Sequence, residues 1–121
     1  MGAILVVDDD ADVRELIAFK LRAAGYDTTT ANDGREGLAR ALEVPPAVVV
    51  LDWTMPHLSG LDVLRCLRAD PRTRSVPVLM VTARCQEGDE ETCRAAGATD
   101  YLARPFRPRE LVSRVRALVP A

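Results

Sequence analysis

The sequence predicts an α/β fold in which five parallel strands form one sheet with helices on both faces. Short apolar runs alternate with amphipathic segments five times within 121 residues. Two of the runs, 3–7 and 47–51, are apolar throughout, which is typical of strands covered on both faces. Parallel strands need a crossover, which the intervening helices supply with a right-handed connection. Because the length suits one compact domain, we predict a single domain over residues 1–121.

Capping and turn residues set the limits of the elements. Asp10 is expected to cap the first helix and Gly25 to end it, while Asn32 or Asp33 caps the second. Pro108 is suited to the first turn of the last helix. The predicted strands cover 3–7, 27–31 (more polar and near an edge), 47–51, 77–81 and 101–103. The predicted helices cover 11–24, about 33–42, 61–69, 87–96 and 108–119.

Composition excludes several classes of protein. The chain has 16 basic and 18 acidic residues, so it lacks the basic excess of nucleic-acid-binding and membrane-surface domains. Its apolar runs are shorter than the roughly 20 residues that span a bilayer. Cys66, Cys85 and Cys93 have no C-x-x-C spacing, which indicates reduced thiols packed against helices. We therefore expect a cytoplasmic protein that contacts neither nucleic acid nor membrane through this domain.

Polar residues follow or end four of the five predicted strands. They are Asp8 and Asp9, Asp52, Thr82 and Arg104. Ligands of open α/β sheets bind beyond the carboxyl ends of the strands, so parallel strands bring these side chains to one edge. We call this edge the rim. A rim with three carboxylates, a hydroxyl and a cation predicts a binding site.

The residue types at the rim indicate phosphoryl-transfer chemistry. Carboxylates held together repel one another, and Mg²⁺ relieves this because it prefers oxygen ligands. A carboxylate such as Asp52 beside the ion can attack phosphorus and form an aspartyl phosphate. Thr82 is placed to hydrogen-bond one phosphoryl oxygen and Arg104 to neutralise another.

The chain resembles the receiver domain of two-component response regulators from end to end. The matching segments are ILVVDDD, VVLDWTMPHLSG, VPVLMVTA and AGATDYLARPF. The resemblance implies a flavodoxin-like doubly wound (βα)5 fold of the CheY type. It also implies phosphorylation from a histidine kinase or a phosphotransfer protein. Such a domain catalyses only its own phosphorylation and dephosphorylation, so we do not expect an enzyme acting on other substrates.

The resemblance also implies roles for individual residues. Asp8 and Asp9 correspond to the acidic pair that binds Mg²⁺, and Asp52 to the phosphoacceptor. Thr54 would add a backbone carbonyl to the metal, Thr82 is the switch hydroxyl, and Tyr101 is the aromatic that turns inward on activation. The face formed by residues 87–119 is the expected contact for a homodimer or an output domain. The chain is either a stand-alone protein or part of a longer response regulator.

Arg104 departs from the family pattern, which has lysine before the Pro-Phe pair. Arginine keeps the charge, but its planar fork is bulkier than a compact ammonium group. This departure motivates an alternative function, a receiver-like interaction module that no longer uses phosphorylation. Two further residues near the rim have open roles. Arg84 either adds positive charge or hinders access, and Trp53 either shields the site or is a partly exposed loop aromatic.

An enzyme with an aspartate nucleophile, a haloacid-dehalogenase-like phosphatase, is the second rival. It requires Asp-x-Asp with Thr or Val two residues after the second aspartate, whereas Asp12 stands at that position after Asp8 and Asp10. The chain is also too short for the remainder of such an enzyme. Turnover of an external phosphate ester would support this rival.

Overall fold

The computed structural model describes residues 2–120 and contains five strands and five helices in strict alternation. The strands are β1 (Ile4–Val7), β2 (Thr28–Ala31), β3 (Val48–Leu51), β4 (Val78–Thr82) and β5 (Asp100–Ala103). The helices are α1 (Ala11–Ala23), α2 (Gly34–Glu43), α3 (Gly60–Ala69), α4 (Asp89–Ala95) and α5 (Pro108–Leu118). None of the described helices is long and apolar enough to cross a bilayer.

All neighbouring strands pair in parallel, in the order β2-β1-β3-β4-β5. The predicted α/β class is therefore confirmed, and the more polar β2 lies at an edge as expected. From β1 the chain connects to β2 on one side of the sheet and then returns to β3 on the other side. The connections on the two sides therefore diverge between β1 and β3. This is the topological switch point at which open α/β sheets bind ligands. The last residues of these two strands, Val7 and Leu51, are register partners.

Each face of the sheet forms its own hydrophobic core. Alternate strand residues point to opposite faces, so Leu5 and Val49 face one core while Ile4 and Val48 face the other. The first core packs against α2, α3 and α4, and the second against α1 and α5. Burial on both faces explains why the central strands are continuously apolar rather than alternating.

Most of the predicted boundaries agree with the structure to within one or two residues. Asp10 caps α1, since its carboxylate accepts the amides of residues 12 and 13, and Asp33 caps α2. The prediction for α4 is too long at its start, because Gly88 adopts a left-handed conformation (φ 88°) and the helix begins only at Asp89. The Arg104–Pro105 peptide bond is cis.

The expectation that all three cysteines pack inside is wrong for two of them. Cys93 is buried, but Cys66 and Cys85 are exposed. All three are free thiols. Burial raises the pKa of the Cys93 thiol to about 11, so this side chain behaves as a small hydrophobe.

Gly60 brings the start of α3 against the backbone that follows β3. Its amide donates a hydrogen bond of 2.7 Å to the carbonyl of Trp53. A Cβ atom at this position would lie 1.9 Å from the carbonyl oxygen of Asp52. The loop over residues 52–60 therefore closes on itself, which fixes the backbone of Asp52.

We expect Gly60→Ala to destabilise the domain by about 2–3 kcal/mol or more, because backbone atoms on both sides must move apart. Gly25→Ala is the matched control. Gly25 has a φ of 97° but open space around its Cβ position, so only the left-handed backbone costs about 1 kcal/mol. Urea unfolding at equilibrium measures both losses. Equal losses in the two variants would contradict the close approach at Gly60.

Candidate functional site

The rim brings together the polar residues that follow or end the strands. Asp8 and Asp9 follow β1, Asp52 follows β3, Thr82 ends β4 and Arg104 follows β5. Asp8, Asp52 and Thr82 are buried, while Asp9 is exposed. The structure therefore brings these predicted side chains together at one edge of the sheet.

Three carboxylates form the centre of the site. One oxygen atom each of Asp8, Asp9 and Asp52 lies within 4.8 Å of the others. Asp8 is 2% exposed and Asp52 5% exposed, so water screens their charges poorly. Asp8 is also held from the main chain, because its Oδ1 accepts the amide of Asp10 at 2.9 Å. Asp8 and Asp52 are poorly hydrated and lie beside the exposed Asp9, so a cation that offsets the repulsion among the three carboxylates is favoured.

Arg104 supplies one such cation. Its Nη2 lies 3.0 Å from Oδ2 of Asp52, and its Nη1 lies 3.8 Å from Oδ2 of Asp8. The two arms of one guanidinium group thus face two different carboxylates, which the compact ammonium of lysine does not do. Among residues 2–120, Nε of Arg104 is buried without a hydrogen-bond partner. The side chain is therefore held by its charge contacts.

The geometry suits a hard divalent ion. Oδ1 of Asp52 is buried and has no hydrogen-bond partner within the described chain. It is a free acceptor in an all-oxygen donor set, and Mg²⁺ takes one or two carboxylates together with water or phosphate oxygens. The donor set of Asp8, Asp9 and Asp52 fits this ion. Thr54 lies in the loop after Asp52 with an exposed side chain, and its role as a main-chain ligand stays a prediction.

Thr82 and Tyr101 meet at the backbone of one residue. The Thr82 hydroxyl accepts the amide of Arg84 at 3.1 Å, and the Tyr101 hydroxyl donates to the carbonyl of the same residue. Both side chains are buried. Tyr101 is thus turned inward in this structure, and its role as a switch stays a prediction.

Comparisons with known proteins agree with this geometry. Residues 4–116 match the model of the response regulator receiver domain family. The chain belongs to the receiver domain family. It is therefore a receiver domain of two-component signal transduction, and the predicted flavodoxin-like (βα)5 fold is confirmed.

Its relatives are response regulators. The receiver domain is 45% identical over 114 residues to the DNA-binding response regulator MtrA of Mycobacterium tuberculosis, covering 94% of this chain and 49% of that protein. It is 39% identical over 116 residues to the phosphate regulon transcriptional regulatory protein PhoB of Pseudomonas aeruginosa, covering 96% and 51%. The chain thus spans about half the length of these curated relatives.

Solved structures have the same architecture. The chemotaxis response regulator CheY4 of Vibrio cholerae superposes with a TM-score of 0.91 at 32% identity, covering 98% of this chain and 99% of that one. The receiver domain of the Francisella response regulator 1452 has a TM-score of 0.90 at 35% identity, covering 98% and 96%. These similarities do not favour the alternative of a phosphorylation-independent interaction module.

Sequence reasoning missed one cluster beside the rim. The Arg84 guanidinium stacks over the ring of Trp53 at 4.0 Å and lies 3.4 Å from Oδ1 of Asp89. Trp53 is therefore buried rather than a partly exposed loop aromatic. The position of Arg84 two residues after Thr82 pointed to the rim, but no sequence signal paired it with Asp89.

The charge of Asp8 is costly in this receiver domain. The pKa of Asp8 is raised to about 6, chiefly by burial and to a smaller extent by the charges of Asp52 and Asp9, while the Asp10 amide and Arg104 oppose the shift. Because this pKa lies above the ordinary value of 3.8, the folded state binds more protons than the unfolded state at pH values between 3.8 and about 6. The contribution of Asp8 to stability is therefore greatest at low pH and is lost as the pH rises through about 6.

We expect Asp8→Asn to unfold at higher urea concentration than wild type at pH 7 in a buffer with chelator. The neutral amide keeps an acceptor for the Asp10 amide and removes one charge, which is worth roughly 1–2 kcal/mol. The advantage should shrink towards pH 4, where Asp8 is protonated. Added Mg²⁺ should stabilise wild type but not the variant. A variant that is less stable than wild type at pH 7 would refute the proposed repulsion.

Proposed function

We propose that this receiver domain accepts a phosphoryl group on Asp52 in a reaction that depends on Mg²⁺. One observation carries the proposal. Asp52 is a buried carboxylate with Oδ2 against Arg104 and Oδ1 without a partner among the described residues. One oxygen is thus charge-compensated, while the other keeps its lone pairs available. This is the state that a carboxylate nucleophile requires.

The proposed step transfers one phosphoryl group without changing the oxidation state of any atom. An Asp52 carboxylate oxygen forms a bond to phosphorus as the bond between phosphorus and the donor atom breaks. The donor atom leaves with the electron pair and takes a proton, as imidazole does when the donor is a phosphohistidine. Arg104 faces the charge that develops on the phosphoryl oxygens, and the Thr82 hydroxyl is the neighbouring donor.

Asp8, Asp9 and Asp52 would hold the metal ion, with the Thr54 carbonyl as a further ligand. The ion would neutralise negative charge on the phosphoryl oxygens. The acidic cluster calls for a further cation, because its three carboxylates exceed the single positive charge of Arg104. The reaction modifies the domain's own side chain, so we infer an acceptor rather than an enzyme that turns over external substrates.

The proposed donor is a histidine kinase or a phosphotransfer protein, by analogy with two-component systems. The three free cysteines fit a reducing cytoplasm as the location. A homodimer or output-domain contact through residues 87–119 is part of the proposal. On that face Asp100 pairs with Arg94 at 3.2 Å and with Arg114 at 2.9 Å. Complementary charges of this kind suit recognition of a second copy or an output domain.

The first test is phosphorylation by acetyl phosphate with Mg²⁺, followed by intact mass. We expect one phosphate adduct in wild type, none in Asp52→Asn and none with chelator. Asp62→Asn is the matched control, since Asp62 is an aspartate of the α3 capping box, away from the acidic cluster, and it should give the same adduct as wild type. A folded wild-type domain that gains no adduct would contradict the phosphoacceptor proposal and support the alternative of a phosphorylation-independent interaction module.

The second test concerns Arg104. Arg104→Met should slow adduct formation by about 100-fold, because a positioned charge beside the transferred group is lost. Arg104→Lys keeps the charge and should slow it by less than about 10-fold. The initial rate of adduct formation measures both effects, and urea unfolding verifies that the variants fold. A wild-type rate in Arg104→Met would show that the guanidinium does not act on the phosphoryl group.

A further inference from the structure

Arg84 is the residue at which the rim meets the start of α4. Its amide donates to the Thr82 hydroxyl, and its carbonyl accepts the Tyr101 hydroxyl. Its guanidinium lies over Trp53, the residue next to Asp52, and pairs with Asp89, the first residue of α4. Arg84 thus contacts the end of β4, β5, the loop after β3 and the start of α4.

The pair between Arg84 and Asp89 is easily broken. The shortest distance between the two charged groups is 3.4 Å, longer than the 2.7–2.9 Å of a strong charge-assisted hydrogen bond. The Arg84 side chain is half exposed, so it can move without disturbing the core. The Asp89 side chain is only 10% exposed, and within residues 2–120 Arg84 is the one cation in ion-pair contact with it.

Asp89 in turn holds the segment that leads into α4. Its second oxygen, Oδ2, accepts the amide of Gln86 at 2.9 Å. A buried carboxylate that loses its cation is costly to keep in place. It would therefore rotate towards water, and the Gln86 amide would lose its partner. The position of the Arg84 guanidinium therefore decides whether Asp89 keeps its hydrogen bond to the Gln86 amide.

We propose that Arg84 is a positioning residue whose guanidinium moves from Asp89 to the phosphoryl group on Asp52 and thereby releases the start of α4. The inference rests on the proposed phosphorylation of Asp52. Phosphorylation replaces one carboxylate charge with about two negative charges, so the rim then attracts Arg84 more strongly than a single carboxylate does. Trp53 follows Asp52 in the chain, and its ring holds the guanidinium at 4.0 Å, so Arg84 is already attached to the loop that carries Asp52.

The test is amide hydrogen exchange over residues 86–93, measured by mass spectrometry with and without acetyl phosphate and Mg²⁺. Wild type should exchange roughly two- to fivefold faster when phosphorylated, the range that one ion pair supports. Arg84→Ala keeps both main-chain bonds of the residue. It should show the faster exchange already without phosphate and gain no further increase. Arg84→Lys should restore part of the phosphorylation-dependent increase.

Two controls separate this coupling from a structural effect. Asp89→Asn keeps an acceptor for the Gln86 amide without a charge to compensate, so exchange should stay slow in both states. Arg65→Ala removes a half-exposed arginine that faces Asp62 at 4.0 Å on α3 and should behave as wild type. A purely structural role of Arg84 would raise exchange equally in both states and preserve the increase on phosphorylation. That result would overturn the proposal.

The same samples distinguish failure of this inference from failure of the proposed function. Intact mass reports whether Asp52 carries the phosphate. An adduct in Arg84→Ala with a full wild-type increase in exchange refutes only the role of Arg84. If wild type gains no adduct, the unphosphorylated samples still test the contact, because Arg84→Ala must exchange faster than wild type and Asp89→Asn must not.

Discussion

Repulsion among the three carboxylates at the rim is the constraint on which the remaining architecture depends. Asp8 and Asp52 are buried within 4.8 Å of each other and of Asp9. The cation that offsets this repulsion, Arg104, follows β5, and β4 lies between β5 and β3. Adjacent strands are about 4.8 Å apart, so only a long side chain such as that of Arg104 spans the gap. The strand order therefore requires a side chain of this length at position 104.

Arginine at position 104 compensates charge differently from the lysine that the family pattern would place there. Its fork faces Asp52 with one arm and Asp8 with the other, so the positive charge is shared between two acids of the metal site. A phosphoryl group on Asp52 would compete with Asp8 for the same guanidinium. Since the arms are rigidly joined, a shift of one towards the phosphoryl group also changes the contact of the other. If Mg²⁺ and a phosphoryl group bind as proposed, Arg104 would link the two through one planar group.

The fold and the acidic site were predictable because their signals are local. A continuous apolar run followed by Asp8 or Asp52 predicts both a buried strand and a polar group at its end. The pair of Arg84 with Asp89 was not predictable, since it depends on how the β4–α4 loop turns. The left-handed backbone at Gly88 delays the start of α4 to Asp89 and thereby turns this carboxylate back towards Arg84. The burial of Trp53 also depends on the path of a loop, because the close approach of Gly60 folds that loop back against the backbone of Trp53.

The two arginines of the site differ in the property that decides what each can do. Arg104 is mostly buried at 19% exposure, whereas the Arg84 side chain is 50% exposed. A buried cation between two acids cannot leave without exposing both of them to repulsion, so it is suited to holding the site together. A half-exposed cation on a long contact can move towards a stronger negative charge, and the carboxylate that it leaves then turns towards water. The division of burial between Arg104 and Arg84 therefore separates the residue that maintains the acidic site from the one that can respond to its change of charge.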